Sequence, residues 1–187
     1  KKLGKGLGEM HLKSAESNPK MFGSQVEGFI GTTDQKKGLK DNWIDCFLNL
    51  RIIPQLLILE STILDKEINN KVQDKIKSIL FKHKPINSLV HGDLWSGNIG
   101  TEKNGKGVIF DPASWWADNE VDIAMTKLFG GFRKEFYEEY HRIFPTKTGF
   151  EKRIIIYNFY HILNHANMFG GGYLKQVKDY VQAILNM

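Results

Sequence analysis

In this 187-residue sequence, cysteine is rare and long apolar runs are absent. Cys46 is its one cysteine, which excludes an internal disulfide and leads us to expect a reducing, cytoplasmic compartment. No window approaches the roughly 18 apolar residues of a membrane-spanning helix. The basic, glycine-bearing start also lacks the apolar centre of a signal peptide. No membrane partner is therefore predicted.

A strong excess of one charge sign is absent from the second half of the chain. The net charge is +5, yet residues 91–187 hold 11 basic and 11 acidic side chains, whereas residues 1–90 hold 15 and 10. The upstream lysines are interleaved with acids, which is typical of solvated helix faces rather than of a groove that follows phosphates. Nucleic acid is therefore not predicted as a partner, and nothing in the pattern selects an oligomeric state.

Apolar spacing predicts a mainly α chain with a small β-hairpin sheet. Helical spacing covers residues 1–12, a segment from Asn42 that Pro54 kinks or divides, and a helix from about Glu60 to Phe81. Residues 14–41 are rich in Gly, Ser, Thr, Asn and Lys and predict an ordered loop. The last third predicts four more helices, at about Glu120–Phe129, Phe132–Arg142, Glu151–Met168 and Tyr173–Asn186.

Between these helical regions, the stretch LVHGDLWSGNIG at 89–100 predicts a strand that opens into a polar loop. The following stretch, NIGTEKNGKGVIFDP, predicts a β-hairpin with Asn104-Gly105 as a favoured two-residue turn. Because a hairpin returns its chain to where it started, Asp111 is expected beside Asn98.

This arrangement indicates phosphoryl transfer. One carboxylate and one amide oxygen, from Asp111 and Asn98, form a hard oxygen site suited to Mg²⁺, while Asp93 is left to orient a hydroxyl and accept its proton. The spacing of HGDLWSGN matches the protein-kinase pattern H-R-D-L-x-x-x-N, with IFDPA in the place of D-F-G. Asp93 is therefore predicted as the catalytic base, Asn98 and Asp111 as metal ligands, and ATP with Mg²⁺ as cofactors.

Beyond this pattern, the sequence resembles the fructosamine kinase (ketosamine-3-kinase) family. The resemblance rests on HGDLWSGN, FDPA, FGGF, GFEKR and HILNHANMFGGGY, with LGEMHL and NWIDCFLNLRIIPQ upstream, and covers nearly the whole chain. It implies the aminoglycoside phosphotransferase-like member of the protein-kinase-like folds. It also implies ATP-dependent phosphorylation of a sugar hydroxyl on ketosamine adducts of small amines or protein lysines, a step in protein deglycation.

The resemblance also implies roles for residues around the loop. Trp95 would stack on a sugar ring, although a core tryptophan that supports the loop is an open alternative. Asn164 and His165 would contact substrate. His91 and Asp122 would support the loop, with Asp122 accepting backbone N–H bonds near His91.

One part of the kinase pattern is not found upstream of the motif. A working kinase needs a glycine-rich loop over the phosphates, a strand lysine and its glutamate partner. We therefore predict that residues 1–187 are a single C-terminal lobe without the N-terminal ATP-clamping lobe, and that the chain alone is inactive. Two alternatives stay open: an aminoglycoside- or choline-kinase-like enzyme, and a non-catalytic remnant lobe that binds glycated or partner proteins.

Overall fold

The computed structural model of the chain describes residues 1–17, 19–59 and 63–187. Within these ranges, eight α-helices pack around three small antiparallel sheets. The helices are α1 (Lys2–Glu16), α2 (Trp43–Phe47), α3 (Ile53–Leu59), α4 (Lys66–Leu80), α5 (Glu120–Leu128), α6 (Lys134–His141), α7 (Phe150–Phe169) and α8 (Gly172–Leu185). The strands are β1 (Phe22–Ser24), β2 (Gly28–Ile30), β3 (Thr33–Gln35), β4 (Gly38–Lys40), β5 (Asn87–Val90), β6 (Ile99–Thr101), β7 (Gly107–Ile109) and β8 (Trp115–Asp118).

The mainly helical class predicted from the sequence is confirmed. Helices α5 to α8 begin and end within about two residues of the predicted bounds, which is the usual uncertainty of helix ends. The helix predicted from Glu60 begins at Lys66, where the Asp65 side chain caps it by accepting a 2.8 Å hydrogen bond from the Ile68 amide. Glu60 itself lies outside the described residues.

Pro54 divides the preceding helical segment, as its position predicts. Helix α2 continues into one wide π-helical turn at Leu48–Ile52, and α3 begins directly after it. A regular α-helix would require residue 54 to donate an N–H to the Leu50 carbonyl, and proline has no N–H to donate. The Leu50 carbonyl accepts instead from Arg51 Nη1 at 2.8 Å.

The β content is larger than predicted, and the prediction of a loop throughout 14–41 is wrong. That stretch contains β1 to β4, and β8 was not predicted either. The main sheet has the strand order β4-β1-β8-β5, with Val90 paired to Trp115 at its inner end. Strands β2 and β3 form a separate hairpin. Each of β1 to β4 has only three residues, which is too short to show apolar alternation in a sequence.

The hairpin predicted after residue 98 is present as β6 and β7, with Ile99 opposite Ile109. Its turn is wider than predicted. The Glu102 amide donates to the Lys106 carbonyl at 2.8 Å, which leaves three residues in the loop, and Gly105 occupies the left-handed position with φ of +78°. This is the glycine requirement of a three-residue hairpin rather than of a two-residue one.

Helix α7 lies at the centre of the main core, which fills the space between the four-stranded sheet and α2, α3, α4 and α8. More than half of its residues are buried. Trp43 stacks on Trp115 with ring centres 5.6 Å apart and donates to the Tyr157 hydroxyl at 3.1 Å. A smaller core joins α1, α5 and α6, and buries Leu94 from the loop after β5. The smaller core therefore holds that loop in place.

In the described part of the chain, no helix combines the length and the apolar character that crossing a bilayer requires.

Two glycines of α1 test the packing of this helix on α6. A Cβ at Gly4 would lie 2.1 Å from the Phe136 carbonyl oxygen, whereas a Cβ at Gly6 would meet no atom within 4 Å. We expect Gly4→Ala to lower the free energy of unfolding by about 1–3 kcal/mol through overpacking. Gly6→Ala should raise it by about 0.5–1 kcal/mol through helix propensity. Urea unfolding followed by circular dichroism measures both, and similar effects of the two changes would contradict the close α1–α6 contact.

Candidate active site

The loop between β5 and β6, here called the 91–98 loop, follows a tightly bonded path. It ends in one 3₁₀ turn at Ser96–Asn98. Gly92 has a φ of +85°, and a Cβ there would lie 2.1 Å from the Ala113 carbonyl oxygen. Glycine is therefore required where the loop passes this segment. The Ala113 amide also donates to the His91 carbonyl at 2.9 Å, so the loop is fixed to the chain that leaves the hairpin.

Asp122 on α5 holds the 91–98 loop from behind. It is fully buried, and its carboxylate accepts from the amides of His91 and Gly92 at 2.8 Å each. His11 Nε2 on α1 lies 3.0 Å from Oδ2 and completes the set. Burial alone would raise the pKa of Asp122, but the hydrogen bonds from His11, Gly92 and His91 hold that pKa below its usual range. Asp122 therefore joins the loop to α1 and α5 as an ionised carboxylate.

His11 is a residue of this network that sequence reasoning missed. Its Nδ1 lies 2.9 Å from the Tyr140 hydroxyl, whose oxygen accepts from Asn119 Nδ2 at 2.7 Å. With a proton on Nε2 for Asp122, Nδ1 accepts from Tyr140. The available signal was a histidine within the apolar stripe of α1, a position where a polar side chain needs a buried partner.

His91 connects the 91–98 loop to the end of the β6–β7 hairpin. Its Nε2 lies 2.9 Å from the Phe110 carbonyl oxygen, which can only accept, so Nε2 carries the proton. The other nitrogen, Nδ1, is then free to accept from the Asp93 amide at 3.3 Å. His91 thus fixes the backbone of Asp93 and the residue before Asp111 at once.

One cavity of about 530 Å³ brings together the six residues that the sequence predicts for base, metal and substrate. They are Asp93, Trp95, Asn98, Asp111, Asn164 and His165. The Phe110 amide donates to the Asn98 carbonyl at 3.1 Å, so the hairpin returns the chain to its starting point. Asp111 has a φ of +51°, the one positive value outside glycine in the described part of the chain. Such a backbone is unfavourable for a non-glycine residue and is typical of functional positions.

Asn98 holds the Asp93 carboxylate. Its Nδ2 donates to the Asp93 carbonyl oxygen at 2.9 Å and to Oδ2 at 3.2 Å. Since the nitrogen side of the amide is used in this way, Oδ1 is the atom left to act as a ligand. Burial raises the pKa of the Asp93 carboxyl, while charge interactions with His165 and His91 and the Asn98 hydrogen bond oppose the rise.

Trp95 lies at the mouth of the cavity with 37% of its surface exposed. A Cβ at Gly97 would lie 2.3 Å from its ring, so the indole rests directly on the loop backbone. The ring of Phe129 meets it edge-on at 6.0 Å. Phe29 and Phe169 line the same cavity and are more than half exposed. Aromatic surface left open to solvent beside polar groups is typical of a binding site.

Asn164 and His165 extend from α7 into the cavity and differ in their hydrogen bonding. The Asn164 amide is buried and occupied: Nδ2 donates to the Ile30 carbonyl at 3.3 Å, and Oδ1 accepts from Gln55 Nε2 at 3.3 Å. His165 Nδ1 lies 2.8 Å from the His161 carbonyl oxygen and therefore carries a proton. In the neutral ring, Nε2 of His165 is then an acceptor that no protein group uses among the described residues.

The β2–β3 hairpin forms a wall of the cavity that sequence reasoning did not identify. Phe29, Ile30 and Gly31 line it. Ile30 pairs with Thr33, so the connection has two residues, and Gly31 has a φ of +60°. A glycine after an apolar pair was the signal for this turn, but the polar residues around it favoured a loop.

His161 lies beneath Asp93 on α7. It is fully buried, and within the described residues neither ring nitrogen has a hydrogen-bond partner. Its Nδ1 lies 4.0 Å from Asp93 Oδ1. Burial lowers the pKa of His161 to about 3, so the ring is neutral at neutral pH.

Comparisons with known proteins agree with the resemblance seen in the sequence. The family model described as fructosamine kinase matches residues 1–187. A Synechocystis protein named "Probable ketoamine kinase" is 40% identical over 186 residues, and an Arabidopsis thaliana protein named "Protein-ribulosamine 3-kinase, chloroplastic" is 38% identical over 188. A Haemophilus somnus crystal structure, of a protein called "Putative fructosamine-3-kinase", superposes with a TM-score of 0.86 at 27% identity.

The alignments cover this chain more fully than they cover its relatives. They include 100% of the chain but 62% of the Synechocystis protein, and 99% of the chain but 57% of the Arabidopsis protein. The structural match covers 96% of the chain and 60% of the Haemophilus protein. The chain belongs to the fructosamine kinase family.

Replacement of Asp122 tests its role as the anchor of the loop. In the Asp122→Asn variant, an amide nitrogen, itself a donor, would face the donors of His11, His91 and Gly92. The change also removes the buried negative charge with which these donors interact. We expect the free energy of unfolding to fall by about 3–5 kcal/mol. Asp74→Asn is the matched control, because Asp74 is exposed and its ion pair with Lys77 lies at the surface. It should change the value by less than about 0.5 kcal/mol, and equal effects in urea unfolding would contradict the assigned role.

The pKa of His161 predicts a specific dependence of stability on pH. The unfolded chain protonates this histidine near pH 6.5, and the folded chain does so only near pH 3. Between these values the unfolded state binds the extra proton, so the group lowers stability as the pH falls. Between pH 7.5 and pH 5, the titration of His161 lowers the free energy of unfolding by about 2 kcal/mol.

The His161→Leu variant removes the titrating group and provides the comparison. Its urea-unfolding free energy should lose about 2 kcal/mol less than that of the parent chain between the two pH values. Parallel losses in both proteins would show that the buried ring is not held neutral.

Proposed function

We propose that this chain is the catalytic lobe of an ATP-dependent kinase that phosphorylates a sugar hydroxyl of ketosamines. The observation that carries the proposal is the single cavity in which Asp93, Asn98 and Asp111 meet across the hairpin. Phosphoryl transfer depends on positioning and on neutralisation of charge more than on covalent chemistry, and this set of side chains suits both tasks.

Asp93 acts as the general base in this proposal. The acceptor hydroxyl oxygen forms a bond to the γ-phosphorus of ATP, the bond from that phosphorus to the bridging oxygen of ADP breaks, and the hydroxyl proton passes to the Asp93 carboxylate. Asn98 holds Oδ2 of this carboxylate, and His91 holds its backbone. The base is therefore oriented before the substrate arrives.

Asn98 Oδ1 and the Asp111 carboxylate would hold Mg²⁺. The fit rests on the chemistry of these donors: both are hard oxygens, and the Asn98 amide is turned so that its nitrogen faces Asp93. When bound, Mg²⁺ supplies charge neutralisation for the phosphates. The left-handed backbone of Asp111 is accounted for if its carboxylate must face the cavity.

The acceptor would bind at the aromatic mouth of the cavity. Trp95 offers an exposed indole face for a sugar ring, and His165 Nε2 offers a hydrogen-bond acceptor for a hydroxyl or an ammonium. Asn164 would act indirectly, since its amide fixes the β2–β3 wall through the Ile30 carbonyl. The names of the relatives, ketoamine kinase and protein-ribulosamine 3-kinase, support a ketosamine that is either free or attached to a protein.

A second group of residues would hold the triphosphate. In the described part of the chain, the residues that line the cavity include no lysine or arginine. Because a bound nucleotide needs cationic or backbone N–H partners, we propose that residues 1–187 act as a C-terminal lobe together with an ATP-clamping lobe. The greater length of the relatives supports this arrangement.

Asp93→Asn tests the assignment of the base. The protein is expressed with any sequence that its gene encodes before Lys1, and ADP release is followed with ATP, Mg²⁺ and a fructosamine or ribulosamine acceptor. We expect kcat to fall by about 10²–10⁴-fold, because an amide cannot accept the proton. Asp74→Asn is the control, since Asp74 is exposed on α4 and lies outside the cavity lining.

The same assay separates the alternatives. Turnover of the Asp93→Asn variant at the parental rate would refute the base assignment. Activity with an aminoglycoside or choline but not with ketosamines would move the chain to another acceptor class. Binding of glycated protein without any turnover would indicate a non-catalytic lobe.

A further inference from the structure

The buried face of α7 beneath the cavity contains a polar group that the proposed reaction does not yet use. His161 is fully buried, and in the described part of the chain both of its nitrogens lack hydrogen-bond partners. Buried polar atoms are almost always paired, so an imidazole with two unpaired nitrogens needs an explanation. The ring of Tyr160 lies beside it, with the ring centres 5.2 Å apart.

The carboxylate of the proposed base lies close to His161. Nδ1 lies 4.0 Å from Asp93 Oδ1. Asn98 already occupies the other oxygen, Oδ2, whereas no hydrogen bond to Oδ1 is found among the described residues. A donor at Nδ1 would therefore complete a pair of contacts, one to each carboxylate oxygen, that sets the plane of the carboxylate.

The distance of 4.0 Å is too long for a hydrogen bond in this state. Catalytic hydrogen bonds are often long before the substrate binds and shorten in the reactive complex. A shift of about 1 Å by the Asp93 side chain would bring Oδ1 into range of Nδ1. The low pKa of His161 keeps its ring neutral, so it offers one N–H donor rather than a second charge beside Asp93 and Asp122.

We propose that His161 is a positioning residue for Asp93: its Nδ1–H faces Oδ1 and, with Asn98 on Oδ2, orients the carboxylate toward the acceptor hydroxyl. This inference rests on the proposed kinase function for its kinetic consequence, but not for its geometry. A histidine kept only for packing would show no preference for the Nδ1–H tautomer and no response to Asp93.

Nitrogen NMR of the chain tests the geometry without any turnover. Long-range ¹H–¹⁵N correlations at pH 7.5 identify which nitrogen of each ¹⁵N-labelled histidine carries the proton. We expect His161 to be protonated at Nδ1, and Asp93→Ala to shift that N–H signal. Unchanged signals from His11 and His83 would show that the variant is folded. A His161 ring protonated at Nε2, or a signal indifferent to Asp93→Ala, would overturn the proposal.

Kinetics test the consequence with two variants of equal shape. His161→Asn places an amide nitrogen near the Nδ1 position, whereas His161→Leu has the same outline and no donor. We expect His161→Leu to lower kcat by about 10–100-fold with little change in the acceptor KM, as for other losses of orientation. His161→Asn should recover at least part of that loss, and a rise in KM with kcat unchanged would contradict positioning.

Phe159→Leu provides the control for a general loss of packing in α7. Phe159 is fully buried, stacks on Tyr180 and does not line the cavity. The Phe159→Leu variant should be less stable than the parent protein and should have the same kcat. If the parent protein shows no ketosamine phosphorylation, the proposed function fails, while the tautomer measurement still decides the role of His161.

Discussion

Asp122 places a carboxylate in the interior, where an ionised group is stable only if its oxygens accept enough hydrogen bonds. Two elements meet that requirement: α1 through His11, and the 91–98 loop through the amides of His91 and Gly92. The hydrogen bonds to the ionised Asp122 carboxylate therefore determine where the loop lies. Gly92 is part of the same constraint, because its left-handed backbone lets the loop pass the Ala113 carbonyl.

The position of the loop determines the rest of the site. Its start carries Asp93, its end carries Asn98, and the β6–β7 hairpin returns Asp111 to the same cavity. His91 holds the two ends together through Phe110 and Asp93. Helix α7 closes the cavity from below, and the aromatic side chains at its mouth leave a surface suited to a sugar. These contacts support the proposal that the base and the metal site are formed before any substrate binds.

Much of the site could be predicted because its residues are close in sequence. Asp93 and Asn98 share one loop, and a hairpin connects them to Asp111, so local spacing was sufficient. The helices after residue 120 were also predictable from apolar periodicity. The four-stranded sheet was not, since its strands have only three or four residues and pair over long separations. His11, Phe29 and His161 could not be assigned to the site either, because their partners in the site lie more than 60 positions away and only the fold brings them together.

We propose that this site transfers phosphate from ATP to a sugar hydroxyl of a ketosamine. Phosphorus NMR of a reaction containing the protein, ATP, Mg²⁺ and a fructosamine tests it most directly. The account predicts a new phosphomonoester signal, coupled to a sugar proton, that grows in step with ADP. Loss of ATP that yields only inorganic phosphate, with no ester on the sugar, would contradict the account.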